Sequence, residues 1–142
     1  ELGTSNGYSA IWLANAVKQN GGNLTTIEYY QERIDLAKAN FEKCGLIDVI
    51  TVKQGKILDV LETLNETYDF VFIDANKAQY MEFFDKIHPK LLSKGILVAD
   101  NMLSHKQQVK PYKEKLISLK NYESVLLSIG TGMMVSYKKA PN

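Results

Sequence analysis

Five side chains stand where oxygen and nitrogen chemistry can be done: Glu28, Asp74, Lys77, Asp100 and Asn101. The three acids each close an apolar run, in Leu24-Thr25-Thr26-Ile27-Glu28, in Tyr68-Asp69-Phe70-Val71-Phe72-Ile73-Asp74 and in Gly95-Ile96-Leu97-Val98-Ala99-Asp100-Asn101. In an open α/β sheet the carboxyl ends of the strands converge on one crevice, so Asp74, Asp100 and Asn101 are expected to face one another there. Three oxygen donors of this kind suit a hard cation such as Mg²⁺, with Mn²⁺ or Ca²⁺ as alternatives, that keeps positions open for water or substrate. Any one of them alone reads equally as the cap of a following helix. Lys77, three residues after Asp74, reads on its own as a solvated lysine in the first turn of a helix.

A second set of residues opens the chain. Glu1-Leu2-Gly3-Thr4-Ser5-Asn6-Gly7-Tyr8-Ser9 is a glycine-rich turn entering a helix, which lets backbone approach a ligand and aims free N–H groups at it. It has glycines only at Gly3 and Gly7, short of the full dinucleotide fingerprint, and a tight strand-to-helix turn with no ligand fits it too. Glu28 lies about 20 residues further on, where a strand-end acid can accept hydrogen bonds from both hydroxyls of an adenosine ribose. A solvated strand-end carboxylate is the alternative.

The elements that must position these groups alternate between two periods. Strands are expected at Asn23 to Glu28, Val49 to Gln54, Tyr68 to Asp74 and Gly95 to Asp100, with crossover helices at Tyr8 to Gln19, Gln31 to Cys44 and Lys77 to Leu92. Gly21-Gly22, Gly45 and Lys94-Gly95 are expected at helix ends. A polar helix around Val109 to Leu119 precedes two strands, Glu123 to Ile129 and Met133 to Lys138, joined as a hairpin through Gly130-Thr131-Gly132. The expected architecture is one α/β domain over 1–142 with a mostly parallel sheet and a C-terminal antiparallel hairpin. Because the chain starts on a motif that ordinarily follows a strand, an N-terminal segment is expected to be missing.

Composition narrows the partners. Seventeen basic and sixteen acidic residues leave a net charge of +1, so no global field would hold the chain on nucleic acid or an anionic membrane, and a small substrate is favoured. No apolar run reaches the roughly 20 residues of a membrane helix. The single Cys44 reads as a packed or idle thiol, and a reducing, cytoplasmic setting is the default. His105 reads as a loop histidine, His88 before Pro89 as structural, and Lys106, Lys110, Lys113, Lys115 and Lys120 as a solvated basic run. One ring of Tyr29-Tyr30 is placed either to stack on an adenine edge or to pack in the core.

Taken together, the opening turn, Thr26-Ile27-Glu28, Phe72-Ile73-Asp74-Ala75-Asn76-Lys77 and Ala99-Asp100-Asn101 resemble the cation-dependent O-methyltransferase family of catechol and caffeoyl-CoA methyltransferases and their bacterial members. The resemblance implies a Rossmann-like class I methyltransferase fold and S-adenosylmethionine (SAM) as methyl donor. It implies that Glu1, Gly3 and Ser9 line the methionine part of SAM, that Glu28 holds the ribose, and that Gly55, Lys56 and Ile57 lie beside the adenine. Asp74, Asp100 and Asn101 would be the metal ligands, with Asp74 also counted toward the cofactor, and Lys77 the catalytic base. The chain departs from the family at Asn76, where relatives commonly carry Asp, and at Met102-Leu103-Ser104-His105, where they often carry Trp and Gly. The implied reaction is methyl transfer to a hydroxyl of a small phenolic or catechol-like acceptor held by the metal. Implied partners are that acceptor and a second copy in a homodimer, with no membrane. A tRNA hydroxyuridine acceptor, or a non-catalytic fragment that only binds an adenosyl ligand, are the competing readings.

Overall fold

The computed structural model describes residues 1–141, and the chain forms two compact units, Glu1–Val60 and Leu61–Asn142. In chain order the elements are α1 (Tyr8–Gln19), β1 (Leu24–Glu28), α2 (Gln31–Lys43), β2 (Ile50–Gln54), α3 (Ile57–Thr63), β3 (Tyr68–Ile73), α4 (Tyr80–Ile87), β4 (Leu91–Ala99), α5 (Lys106–Ser118), β5 (Tyr122–Leu127) and β6 (Met133–Lys138). Short 3₁₀ turns at Ile47–Val49 and Lys77–Gln79 precede β2 and α4.

The first unit is a βαβ arrangement. β1 and β2 pair in parallel, Leu24 opposite Ile50 through Glu28 opposite Gln54, and Leu2 makes a parallel bridge to Ile27. Its core joins Ala10 and Ala14 of α1, Ala37 and Phe41 of α2, Leu24, Leu46 and Ile50, all buried. The alanines, one turn apart on one face of α1, are small enough to let that helix settle close to the packed side chains. Both helices close as the glycines foretell: Gly21 and Gly45 take left-handed φ of 68° and 65°. In the first, Gly22 N–H donates to Val17 O at 2.8 Å, and in the second Leu46 N–H donates to Phe41 O at 2.9 Å. Cys44 is a free, exposed thiol at the second of these ends.

Gly7 caps α1 with φ 86°, and a Cβ there would lie 2.5 Å from Phe41 Cε1 and 3.3 Å from Ala37 Cβ. Strain and overpacking therefore act together at this one residue. Gly7→Ala should lower stability by about 2–4 kcal/mol, read as a lower urea midpoint, and an unchanged midpoint would contradict the packing described here.

The second unit holds the four-stranded sheet β3-β4-β6-β5. β3 and β4 are parallel, whereas β6 runs antiparallel to both β4 and β5, so the C-terminal hairpin is present. α4 buries Tyr80, Phe83, Phe84 and Ile87 at helical spacing. Tyr80 and Phe84 meet Tyr112 of α5 edge-on with centroids 5.7 and 6.0 Å apart, and Phe84 meets Tyr122 at 5.8 Å. Among the described residues no helix is long and apolar enough to cross a membrane.

Three expected boundaries are corrected. The helix from Lys77 opens as a 3₁₀ turn and ends at Ile87, because Pro89 cannot supply the N–H that the next turn needs. Lys94-Gly95 is not a helix end: Lys94, at φ 67°, lies inside β4, where the pairing jumps from Tyr68 opposite Leu91 to Phe70 opposite Ile96. The left-handed residue absorbs that irregularity within the strand. The hairpin loop is longer than the three residues expected, running from 128 to 132 between β5 and β6.

His88, at the end of α4, shares a 2.9 Å hydrogen bond between Nδ1 and Tyr122 Oη, and Lys138 Nζ donates to His88 O at 2.7 Å. Burial, then the charges of Lys138 and Lys115, hold the imidazole pKa below its ordinary 6.5. The unfolded chain then takes up the proton before the folded one does, so stability should fall as pH drops below about 6.5. His88→Gln should flatten that part of a denaturation-against-pH curve, and an equally steep fall in the variant would exclude His88 as its source.

Candidate functional site

In the first unit the glycine-rich turn is built on β1. Gly3 and Thr4 N–H groups both donate to Ile27 O, at 3.2 and 3.1 Å, and Gly3 takes φ 99°. Below the turn, the buried Thr4 and Thr26 hydroxyls meet at 2.6 Å, and Thr26 donates on to Glu1 Oε2 at 2.5 Å. Ser9 of α1 hydrogen-bonds the other oxygen of the same Glu1 carboxylate. Glu1 and Ser9 are thereby joined across the turn that contains Gly3, with Thr4 and Thr26 as the polar underlay that sequence reading left out. Their signal was weak, since threonine is common in strands and turns alike.

Glu28 closes β1 and is only 6% exposed. Its Oε2 accepts from Ser5 N–H at 2.9 Å, and its Oε1 accepts from Tyr29 and Tyr30 N–H at 2.9 and 3.1 Å. Three backbone donors make burial of the charge tolerable. They also fill three of the roughly four acceptor positions a carboxylate offers, leaving one on Oε2. Gly55 N–H donates to Glu28 O at 2.9 Å, which brings Gly55 beside the same strand end, with Lys56 exposed and Ile57 half-buried at the start of α3. Gly55 has φ 149°, and a Cβ there would stand 2.8 Å from Val60 Cγ2. Tyr29 and Tyr30 pack edge-on at 5.1 Å, both exposed, so the core-packing alternative for this pair is set aside.

In the second unit β3 and β4 end side by side. Ile73 pairs with Ala99, Asp100 N–H donates to Ile73 O at 3.0 Å, and Asp74 and Asp100 are the next residues of each strand. Tyr80, fully buried, sets its hydroxyl 3.2 Å from Ile73 O and 3.1 Å from Asp100 O, tying the two ends together. Burial, followed by the charges of Asp74 and Asp100, pushes the Tyr80 hydroxyl well above its ordinary pKa, so it remains a donor. Sequence reading had Tyr80 only as a helix position.

Lys77 does not extend into solvent. Its Nζ donates to Asp74 Oδ1 at 2.8 Å, and the side chain is 18% exposed against 39% for Asp74. Asp100 Oδ1 accepts from Asn101 N–H at 2.6 Å and Thr131 Oγ1 at 2.7 Å. Asn101 takes a left-handed φ of 63°, a conformation asparagine tolerates better than other non-glycine residues, and its Nδ2 reaches toward Ser104 Oγ at 3.4 Å. Asp74 Oδ2, Asp100 Oδ2 and Asn101 Oδ1 carry no hydrogen bond among the described residues. Two carboxylates and an amide with open hard oxygens at adjacent strand ends fit a divalent cation of the Mg²⁺ type. Among the described residues no three His, Cys, Asp or Glu side chains gather, so the set depends on the Asn101 amide. Asn76, in the place of the family's aspartate, accepts from Ala78 N–H at 3.2 Å and caps the turn that carries Lys77. His105 contacts Ser104 Oγ through Nδ1 at 2.9 Å and precedes α5, in line with a loop histidine.

The strand pairings and the terminal hairpin define a Rossmann-like class I methyltransferase fold, and the O-methyltransferase TomG of Streptomyces achromogenes, solved in complex with SAM, superposes with a TM-score of 0.88. That match is 26% identical and covers 98% of this chain and 71% of the other. The chain belongs to the methyltransferase-domain family, whose model it matches over residues 1–102. Among curated proteins it is 37% identical over 107 residues to a catechol O-methyltransferase of Niastella koreensis, covering 72% of this chain and 48% of that one. It is 30% identical over 117 residues to caffeoyl-CoA O-methyltransferase 2 of Populus trichocarpa, covering 78% of this chain and 48% of that one. The chain spans about half the length of the curated relatives it matches.

Proposed function

We propose that this chain is the core of a SAM-dependent O-methyltransferase that moves a methyl group to a hydroxyl of a small phenolic or catechol-like acceptor, with a divalent cation held by Asp74, Asp100 and Asn101. The observation that carries the reading is the end of β3 and β4, where these three side chains present open oxygens and Lys77 lies on Asp74 at 2.8 Å. The named relatives act as catechol and caffeoyl-CoA O-methyltransferases, which supports an acceptor of that class.

Each residue then has a chemical task. The remaining acceptor position of Glu28 Oε2 takes one ribose hydroxyl, the Gly3 to Ser9 turn and Glu1 line the methionine part, and Gly55 to Ile57 flank the adenine. A cation held by Asp74, Asp100 and Asn101 would supply Lewis-acid polarisation of the acceptor hydroxyl, and SAM held by Glu28 and the Gly3 to Ser9 turn would supply the methyl group and leave as its demethylated product. Lys77, the donor to Asp74 Oδ1, first releases a proton to solvent and in that neutral form takes the hydroxyl proton, while Tyr80 keeps the two strand ends from drifting apart. Calorimetric titration with SAM tests the donor half directly. One-to-one binding is expected, and no binding of SAM or its demethylated product would reject the reading.

A further inference from the structure

Asp100 has an arrangement that its place at a strand end does not explain. The loop after β4 is stitched to the β5–β6 loop by three backbone hydrogen bonds: Met102 N–H to Gly132 O at 3.0 Å, and Leu103 and Ser104 N–H to Thr131 O at 2.9 and 3.1 Å. Gly130 and Gly132 flank Thr131 with φ of 54° and 87°, and a Cβ on Gly132 would collide with Leu103. The two loops therefore meet at backbone distance, and among the described residues the only side chain the meeting carries to Asp100 is that of Thr131, through its hydroxyl at 2.7 Å. Asn101 N–H, at 2.6 Å, donates to the same Oδ1.

Among the described residues, two donors on Oδ1 and none on Oδ2 fix the carboxylate about its last torsion, a broad and otherwise soft one. Without the Thr131 hydroxyl a single N–H from the adjacent residue would hold it, and the group could turn. We propose that Thr131 is the positioning residue of the cation site: it saturates Asp100 Oδ1 and thereby presents Oδ2, as one pre-oriented oxygen, to a divalent cation. The proposal rests on Asp100 being a cation ligand. Outer partners of ligating carboxylates act in this way, and their loss weakens metal binding by roughly 10- to 100-fold. The hydroxyl is not needed to hold the loops together, since the stitching uses backbone atoms alone, and Thr131 is exposed, so an apolar replacement leaves no buried group unpaired.

The experiment is titration of Mn²⁺ alone into the wild type, Thr131→Val, Thr131→Ser and Asp100→Ala, with free Mn²⁺ read by electron paramagnetic resonance and the melting temperature recorded for each. Thr131→Val should bind Mn²⁺ about tenfold more weakly or worse, Thr131→Ser should stay within about threefold of wild type, Asp100→Ala should lose the site, and both Thr131 variants should melt within about 2 °C of wild type. Equal affinity for Thr131→Val and wild type, with Asp100→Ala still impaired, overturns the role of Thr131 and leaves the cation reading standing. Loss of affinity and of melting temperature in both Thr131 variants alike makes the residue structural and also overturns it. A wild type that takes up no Mn²⁺ removes the cation reading and this proposal together.

Discussion

Lys77→Met should lower turnover with a catechol acceptor by roughly 10²-fold or more while leaving SAM affinity nearly unchanged. The expectation follows from where the ammonium lies: 18% exposed, on Asp74 Oδ1 at 2.8 Å, three residues past a candidate cation ligand. Methionine keeps the length of the side chain and removes both the charge and the proton acceptor. Lys77→Arg separates those two losses, because a guanidinium can keep the pairing with Asp74 yet stays charged at any working pH. Arginine should therefore be almost as slow as methionine. Should both variants run at the wild-type rate from about pH 6 to 9, Lys77 is only the ion-pair partner of Asp74.

A second large effect is expected at Glu28. Glu28→Ala removes the one open acceptor position left by Ser5, Tyr29 and Tyr30, and hydrogen bonds to a charged group contribute about 1.5–3 kcal/mol. SAM affinity should fall about 10- to 100-fold by calorimetry. The same change frees three backbone N–H groups, so the melting temperature should fall as well, and the titration belongs well below that temperature. Folded Glu28→Ala protein with unaltered affinity would place the ribose elsewhere.

What could be read from the sequence depended on the range of the interactions involved. Tyr80, Phe83, Phe84 and Ile87 announce α4 by spacing alone, and the apolar runs closed by Glu28, Asp74 and Asp100 announce the strand ends, because both patterns are local. α3 was not anticipated: Ile57–Thr63 gives barely two turns, too short for a period to stand out. Lys94 misled because left-handed backbone closes helices and also permits strand irregularities, and only the partner strand decides between them. Within the candidate site, Asp74, Lys77, Asp100 and Asn101 stand out in the sequence by residue type, whereas Tyr80 and Thr131 do not. Each of those two acts across at least 20 residues of sequence, on Asp100, through a single hydroxyl. No periodicity encodes such a contact.

Methyl transfer itself tests the account most directly: SAM carrying a labelled methyl group is incubated with this chain and catechol, with Mg²⁺ or with a chelator in its place. The account predicts labelled O-methyl catechol in the presence of Mg²⁺, little or none with the chelator, and loss of the product in Asp74→Ala and Asp100→Ala. Label transferred equally well with the chelator and in both variants would contradict it.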